Sequence, residues 1–263
     1  MMRHVAAPET LRSVVTGGTS GIGAAIVERL RSQGAAAVFT GRDSARGLDV
    51  EKRTGATFVQ ADVRDPEDVR TSVQAAVEVL GGLDALVLNA GVLHDAPLSQ
   101  TSDEAWDAVL ETNLIGSYLY AIACLPLLRA SENASITAIS SDAAVWGETS
   151  IGAYSVSKRA LNMLVQTLAV EAGPARVRVN AVCPGDTAPG MATHVEGRAE
   201  TGDVSGWALP PLARVGTGRD VAAAVAFFAS PDGAFCNGSL LLVDGGMRAS
   251  LRASAVARQA GDP

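Results

Sequence analysis

Tyr154 and Lys158 stand four positions apart in Tyr154-Ser155-Val156-Ser157-Lys158, a spacing that puts two side chains on one helix face about a turn apart. A phenol with an ordinary pKa near ~10 is a poor base at neutral pH, and a neighbouring ammonium favours the phenolate and lowers that value. So placed, the tyrosine can exchange a proton with a carbinol or carbonyl oxygen while hydride moves at the carbon. Alone, the pair reads as well as an exposed i, i+4 contact. Ser140-Ser141 tips the reading toward chemistry, because it closes an apolar run thirteen residues before Tyr154 and its hydroxyl can hold the same oxygen as charge develops there.

A second set of residues is suited to phosphates. Thr16-Gly17-Gly18-Thr19-Ser20-Gly21-Ile22-Gly23 follows the first apolar run and leads into the helical pattern Ala24 to Val27. Glycines there permit a tight turn and close backbone approach, while the helix presents free N–H groups and a positive dipole end to a diphosphate. Thr40-Gly41-Arg42-Asp43 ends the second run, where a dinucleotide fold senses the adenosine ribose. Arg42 suits a 2′-phosphate; Asp43 either accepts ribose hydroxyls or caps the next helix. NADP(H) is therefore favoured, with NAD(H) kept as the alternative. Asp62-Val63 is expected near the adenine, and Leu88-Asn89-Ala90-Gly91 beside the cofactor crevice.

These groups need a scaffold that brings strand ends together. Short apolar runs occur near Ser13 to Thr16, Ala36 to Thr40, Thr57 to Gln60, Ala85 to Asn89, Ser135 to Ser140, Arg178 to Cys183 and Leu240 to Val243. Helical patterns lie between them, from about Gly23 to Gln33, Pro66 to Leu80, Asp103 to Arg129, Ala153 to Ala172 and Arg219 to Ala229. That alternation predicts an α/β, doubly wound Rossmann fold: a seven-stranded parallel sheet with helices on both faces. Ser102 before Asp103, Pro66 after Asp65, and Gly34 and Gly173 at helix C-termini are the expected caps, the glycines for their tolerance of positive φ. The organisation expected is an N-terminal extension (1–10), one domain (11–247) with a substrate lid at about 187–215, and a mobile C-terminal tail (248–263).

At 263 residues and 48% hydrophobic, the chain can bury a substantial core. Its net charge of −7 argues against a nucleic-acid partner, which needs clustered basic surface. No apolar run approaches membrane-spanning length and the opening residues lack a signal-peptide pattern, so a cytoplasmic protein without a membrane partner is expected. Cys124, Cys183 and Cys236 are widely spaced among apolar neighbours and read as packing residues. No metal site is expected from them or from His4, His94 and His194.

Together the motifs resemble those of the short-chain dehydrogenase/reductases, in the single-domain branch, over Leu11 to Gly246. The matching residues are T-G-x-x-x-G-x-G at Thr16 to Gly23, N-A-G at Asn89 to Gly91, Asn113, Ser141, Y-x-x-x-K at Tyr154 to Lys158, and Pro184-Gly185. The resemblance implies an NAD(P)(H)-dependent oxidoreductase acting on a small secondary alcohol or ketone. It makes Tyr154 the general acid/base, Lys158 the residue that binds the nicotinamide ribose and lowers the Tyr pKa, Ser141 the substrate-positioning group, and Asn113 the holder of a relay water. Gly17, Ser20, Gly21 and Ile22 would follow the diphosphate and ribose. A homotetramer or homodimer through the helices beginning near Asp103 and Ala153 is also implied. This chain departs from the pattern with Leu88 for a common Asn, and with Thr187 and Pro189 after Pro184-Gly185, where Thr187 supplies a backbone contact to the carboxamide and leaves the hydroxyl contact open.

Candidate substrate-pocket residues are His94, Trp146, Glu148, Met191 and Trp207, a mixture that fits a polyol through Glu148 and His94 or an apolar ring against Trp146. The competing functions are a non-catalytic dinucleotide sensor and an epimerase or dehydratase on the same fold. The chain leaves little room for the larger C-terminal domain that the latter need.

Overall fold

Strands β1 (Arg12–Val15), β2 (Ala36–Gly41), β3 (Thr57–Gln60), β4 (Ala85–Leu88), β5 (Ser135–Ile139), β6 (Arg178–Pro184) and β7 (Leu240–Val243) form one sheet in the order β3-β2-β1-β4-β5-β6-β7, with every pairing parallel. This is a computed structural model, and it describes residues 10–148, 150–189 and 209–250. The expected extension up to residue 9, most of the lid with Met191 and Trp207, and the tail from 251 onward lie outside the described residues.

Side chains alternate across the sheet, and each face carries its own core. Val14, Leu86, Leu88, Ile136 and Val179 pack on one side under α3 (Pro66–Leu80), α5 (Gly116–Leu128) and α6 (Gly152–Ala172). Their neighbours Val15, Val87, Ile139 and Val182 pack on the other under α1 (Gly21–Ser32) and α7 (Gly218–Ala229). Fully burying each such side chain contributes about 1.5–3 kcal/mol, so a sheet buried on both faces supplies a rigid platform. Cys124 and Cys183 are buried in the first core and all three cysteines are free thiols.

Between β2 and β3 lies α2 (Ser44–Thr54), an element the apolar periodicity does not announce because only Gly47 and Val50 of its residues are buried. Asp43 caps it, accepting from the Arg46 amide, and Gly55 ends it in the left-handed region. The other caps act as sequence suggests: Asp65 accepts from the Glu67 amide with Pro66 in the first turn, and Ser102 accepts from Ala105. Gly173 differs. It has φ −53 and opens a 3-10 turn, and the left-handed position is taken three residues later by Arg176 at φ 62.

The expected long helix from Asp103 is α4 (Asp103–Leu110), a π turn (Glu111–Ile115) and α5 in continuous succession. By length and composition this 26-residue span suffices to cross a membrane, contrary to the reading that no apolar run approaches such a length. Of its most apolar window, 44% is buried against the rest of the fold. Tyr120 belongs to that part: fully buried, its hydroxyl hydrogen-bonds Ser72 of α3 at 2.7 Å and donates to Thr40 of β2 at 3.4 Å. Tyr120→Phe removes that junction and leaves Ser72 with one partner fewer, so thermal or urea unfolding should show a loss of about 1–2 kcal/mol. An unchanged midpoint would mean the hydroxyls contribute nothing net.

Candidate active site

The strand order reverses beside β1, whose neighbours are β2 and β4, and ligands in open parallel sheets bind outside the carboxyl ends at such a point. A cavity of about 950 Å³ opens there, running from Arg42 and Asp62 at one end to Ser141 and Tyr154 at the other.

Its floor is the glycine turn. Gly17 takes φ +66, and a Cβ on it would come within 2.8 Å of Ala90 Cα. A Cβ on Gly23 would collide with the Gly17 carbonyl and the Asn89 amide. The turn is pinned to the end of β4: Asn89 Nδ2 donates to the carbonyls of Thr16 (3.0 Å) and Gly17 (2.9 Å), and Thr16 Oγ1 accepts from the Asn89 and Ala90 amides. Ser20 precedes α1 in extended geometry without using its side chain as a cap, so hydroxyl and first-turn N–H groups remain for a ligand. This cradle, into which side chains do not fit and from which donors project, suits a diphosphate.

At the adenosine end, Arg42, Asp43 and Arg46 border the cavity together. The Asp43 carboxylate is occupied by the Arg46 amide and guanidinium. Asp62 is gripped by Arg64, whose hydrogen bonds hold its carboxyl below the usual range, and Val63 lies beside it, largely buried. Arg46 was not anticipated; its one clue is that it stands a turn after Arg42.

At the other end, Tyr154 and Lys158 project from the first turns of α6, 7% and 2% exposed. Lys158 Nζ donates to the Ile139 carbonyl of β5 at 2.8 Å and lies 5.6 Å from the Tyr154 ring centroid. Burial pushes the Lys158 ammonium down to about 8 and the Tyr154 phenol up to about 12, with the Ser141 hydroxyl opposing the latter. The expected lowering of the Tyr pKa is thus not a property of the protein alone: desolvation outweighs an ammonium turned toward a carbonyl. Ser141 caps a 3-10 turn (Asp142–Ala144) at the end of β5, its Oγ accepting from Ala143 N at 3.1 Å and lying 3.3 Å from Asp142 Oδ1.

Asn113 does not line the cavity. It sits in the π turn, fully buried, its Oδ1 accepting from Val92 N (2.8 Å) and its Nδ2 donating to Val92 O (3.0 Å) and Ser157 Oγ (2.9 Å). The extra backbone residue of a π turn aims it there, and such turns often occur at functional sites. It backs Gly91, where a Cβ would lie 3.2 Å from Asn113 Oδ1 and 3.4 Å from Lys158 Nζ. Pro184, Gly185 and Thr187 complete this end, but the Thr187 hydroxyl donates to the Gly185 carbonyl at 2.9 Å and is already engaged.

Of the pocket candidates, Glu148 lines the cavity, whereas His94 and half-exposed Trp146 do not. Asp142 and Asp186 line it too and were missed, although Asp142 directly follows Ser141. Burial raises both carboxyls, Asp142 to about 6. Residue 248, expected to begin a mobile tail, is instead an arginine 10% exposed and ion-paired with Asp142 and Glu148. No cluster able to hold a metal ion occurs among the described residues.

A family model described as enoyl-(acyl carrier protein) reductase matches residues 17–248. L-fucose dehydrogenase of Bos taurus is 37% identical, the match covering 89% of this chain and 87% of that protein. Cis-4-hydroxycyclohexanecarboxylate dehydrogenase of Sinomonas cyclohexanicum is 35% identical over 90% and 96%. The crystal structure of a dehydrogenase/reductase from Sinorhizobium meliloti 1021 superimposes with a TM-score of 0.81 at 34% identity, covering 92% of this chain and 96% of that one.

The interlock at the glycine turn is directly testable. Gly23→Ala should weaken NAD(P)H binding at least tenfold, equivalent to about 1.4 kcal/mol, followed by nicotinamide fluorescence on protein whose folding is verified by circular dichroism. Wild-type affinity in a folded variant would show that the turn tolerates the methyl and does not hold the dinucleotide.

Proposed function

Because the chain belongs to the short-chain dehydrogenase/reductase family, we propose that it moves a hydride between NADP(H) and an uncharged, hydroxyl-rich secondary alcohol or the matching ketone. The observation that carries this reading is the convergence of Ser141, Tyr154 and Lys158 on the cavity whose far end is the glycine cradle. The nicotinamide, when bound, supplies or accepts the hydride, and in its oxidised form brings a positive charge.

The protein's own groups manage the proton and the oxygen. Tyr154 exchanges a proton at the substrate oxygen, acting as acid in reduction and base in oxidation. Lys158 fixes the ribose and favours the phenolate, with Ile139 holding its ammonium in place. Ser141 Oγ accepts from the Ala143 amide and donates to Asp142 Oδ1 at 3.3 Å, a long contact that it exchanges for the substrate oxygen as charge develops there. Asn113, behind Gly91 and Lys158, is assigned to the proton relay.

Preference for NADP(H) is supported by Arg42 and Arg46 at the adenosine end, where the Asp43 carboxylate already caps α2 and pairs with Arg46. The substrate class is supported by Asp142, Glu148 and Asp186, which accept hydrogen bonds from hydroxyls and repel anions. With Trp146 off the cavity the apolar-ring reading loses its residue, while the polyol reading loses His94 but keeps Glu148, so the polyol is favoured. The relative named for L-fucose fits an uncharged hydroxyl-bearing substrate, whereas the one named for cis-4-hydroxycyclohexanecarboxylate shares the ring hydroxyl and not the absence of charge. A cytoplasmic homotetramer or homodimer belongs to the same reading, supported by exposed Tyr118 and Ile122 on α5 and Val156 and Met163 on α6.

The test is NADPH and NADH binding to the purified chain, then turnover across polyols, simple ketones and carboxylate-bearing analogues. Tyr154→Phe should lose turnover by about 10²–10⁴-fold with cofactor affinity little changed. A fully active variant would end the acid/base assignment, and tight binding without any turnover would favour a dinucleotide sensor. Arg42→Ala should weaken NADPH about tenfold more than NADH, as loss of a charge-assisted contact to the 2′-phosphate implies; equal losses would remove that contact.

A further inference from the structure

We propose that Arg248 is a positioning residue for Ser141: from the turn after β7 it clasps Asp142 and Glu148 and so makes residues 244–250 part of the working site. This rests on the reading of Ser141 given above. The Ser141 hydroxyl, which also acts on the Tyr154 phenol, accepts from the Ala143 amide and donates to Asp142 Oδ1 at 3.3 Å, so the Asp142 carboxylate is the acidic partner that orients its proton. The other Asp142 oxygen accepts from Arg248 Nε at 3.1 Å, and a second guanidinium nitrogen pairs with Glu148. The side chains of Arg248 and Asp142 are 10% and 15% exposed, so this is a largely desolvated link joining positions 106 residues apart. A planar guanidinium can bridge two carboxylates in fixed geometry, which a lysine ammonium does less well.

The turn that carries Arg248 is itself registered to the site. The Asp244 carboxylate accepts from the Gly246 amide at 3.0 Å and the Arg248 amide at 2.9 Å. Gly185 lies so close beneath that a Cβ there would come within 2.9 Å of Asp244 Cβ. The guanidinium ties the end of β5 to the loop at Glu148, and the turn that carries it rests through Asp244 on Gly185 at the end of β6.

The charge balance gives the link a signature. Asp142 faces Arg248, Glu148, Asp186, the Tyr154 phenol, the Cys183 thiol and the Ser141 hydroxyl; burial raises its carboxyl to about 6, and Arg248 opposes that rise. Asp142 is thus ionised and clasped above pH 6 and protonates as pH falls through it, loosening the pair. Removing the guanidinium removes the opposing influence, and protonation then begins at higher pH.

The experiment uses the full chain and compares wild type, Arg248→Gln, Arg248→Lys and Asp142→Asn. Arg248→Gln should bind NADPH as wild type does, lose about 10- to 10²-fold in kcat near neutral pH, and shift the acid limb of kcat/KM upward by about one pH unit or more. Arg248→Lys should recover part of both effects. In an Asp142→Asn background, Arg248→Gln should cost much less, because the two act as one unit. The Asp142 titration, followed by carboxyl ¹³C resonances, should move up in Arg248→Gln regardless of turnover. Active wild type with an unshifted limb and an unshifted Asp142 titration in Arg248→Gln overturns the role, as does an equal cost in both backgrounds. A wild-type chain that turns nothing over instead overturns the reading on which the role depends.

Discussion

A buried ammonium must find a partner, and much of this site is arranged around that need. Lys158 is 2% exposed, and its single described acceptor is the Ile139 carbonyl at the end of β5. An unpaired charge at that depth would cost several kcal/mol, so the bond fixes α6 against β5. Once that bond is made, Tyr154 one turn earlier on α6 and Ser141 two residues beyond Ile139 are set relative to each other. Ser140 strengthens the joint, its hydroxyl donating to the Lys158 carbonyl at 3.3 Å. An ammonium has three hydrogens, so this one keeps donors for whatever occupies the cavity it borders.

The glycine turn obeys a different constraint, steric instead of electrostatic. Gly17, Gly23 and Asn89 are packed so that each fills the room the others leave. Polar donors reach the ligand there because no side chain stands between. The two ends of the cavity therefore rely on opposite devices, close backbone approach at one and buried side-chain charge at the other.

Much of this was legible because its signals are local. Parallel strands buried on both faces read as short apolar runs, and the motifs sit at their carboxyl ends, where the sheet gathers them. The alternation announces a parallel sheet with helices on both faces, whereas the order of the strands is seen only in the fold. Other features were hidden for identifiable reasons. α2 has two buried residues and so no apolar stripe, leaving Asp43 and Gly55 as its only marks. The inward turn of Asn113 depends on one additional residue within a helical turn, which periodicity does not resolve. Gly173 was misjudged because the chain continues into a 3-10 turn before reversing at Arg176. Arg248 carries no local signal, since its partners lie about a hundred residues away and only the folded chain brings them together.

The reversal of strand order beside β1 divides labour along the chain. Groups at the adenosine end come from β1 to β3 and the turns that follow them, whereas Ser141, Tyr154, Lys158 and the carboxylates come from β5 onward. The halves meet along the β1–β4 ladder from Ser13↔Ala85 to Val15↔Val87, through the Asn89 bridge to the glycine turn, and through both cores, where α1 packs on α7 and α3 on α5. Labour is divided between the halves, but support is not: each half completes the hydrophobic floor beneath the other, so the part that reads the nucleotide and the part that handles the substrate are held by one common foundation.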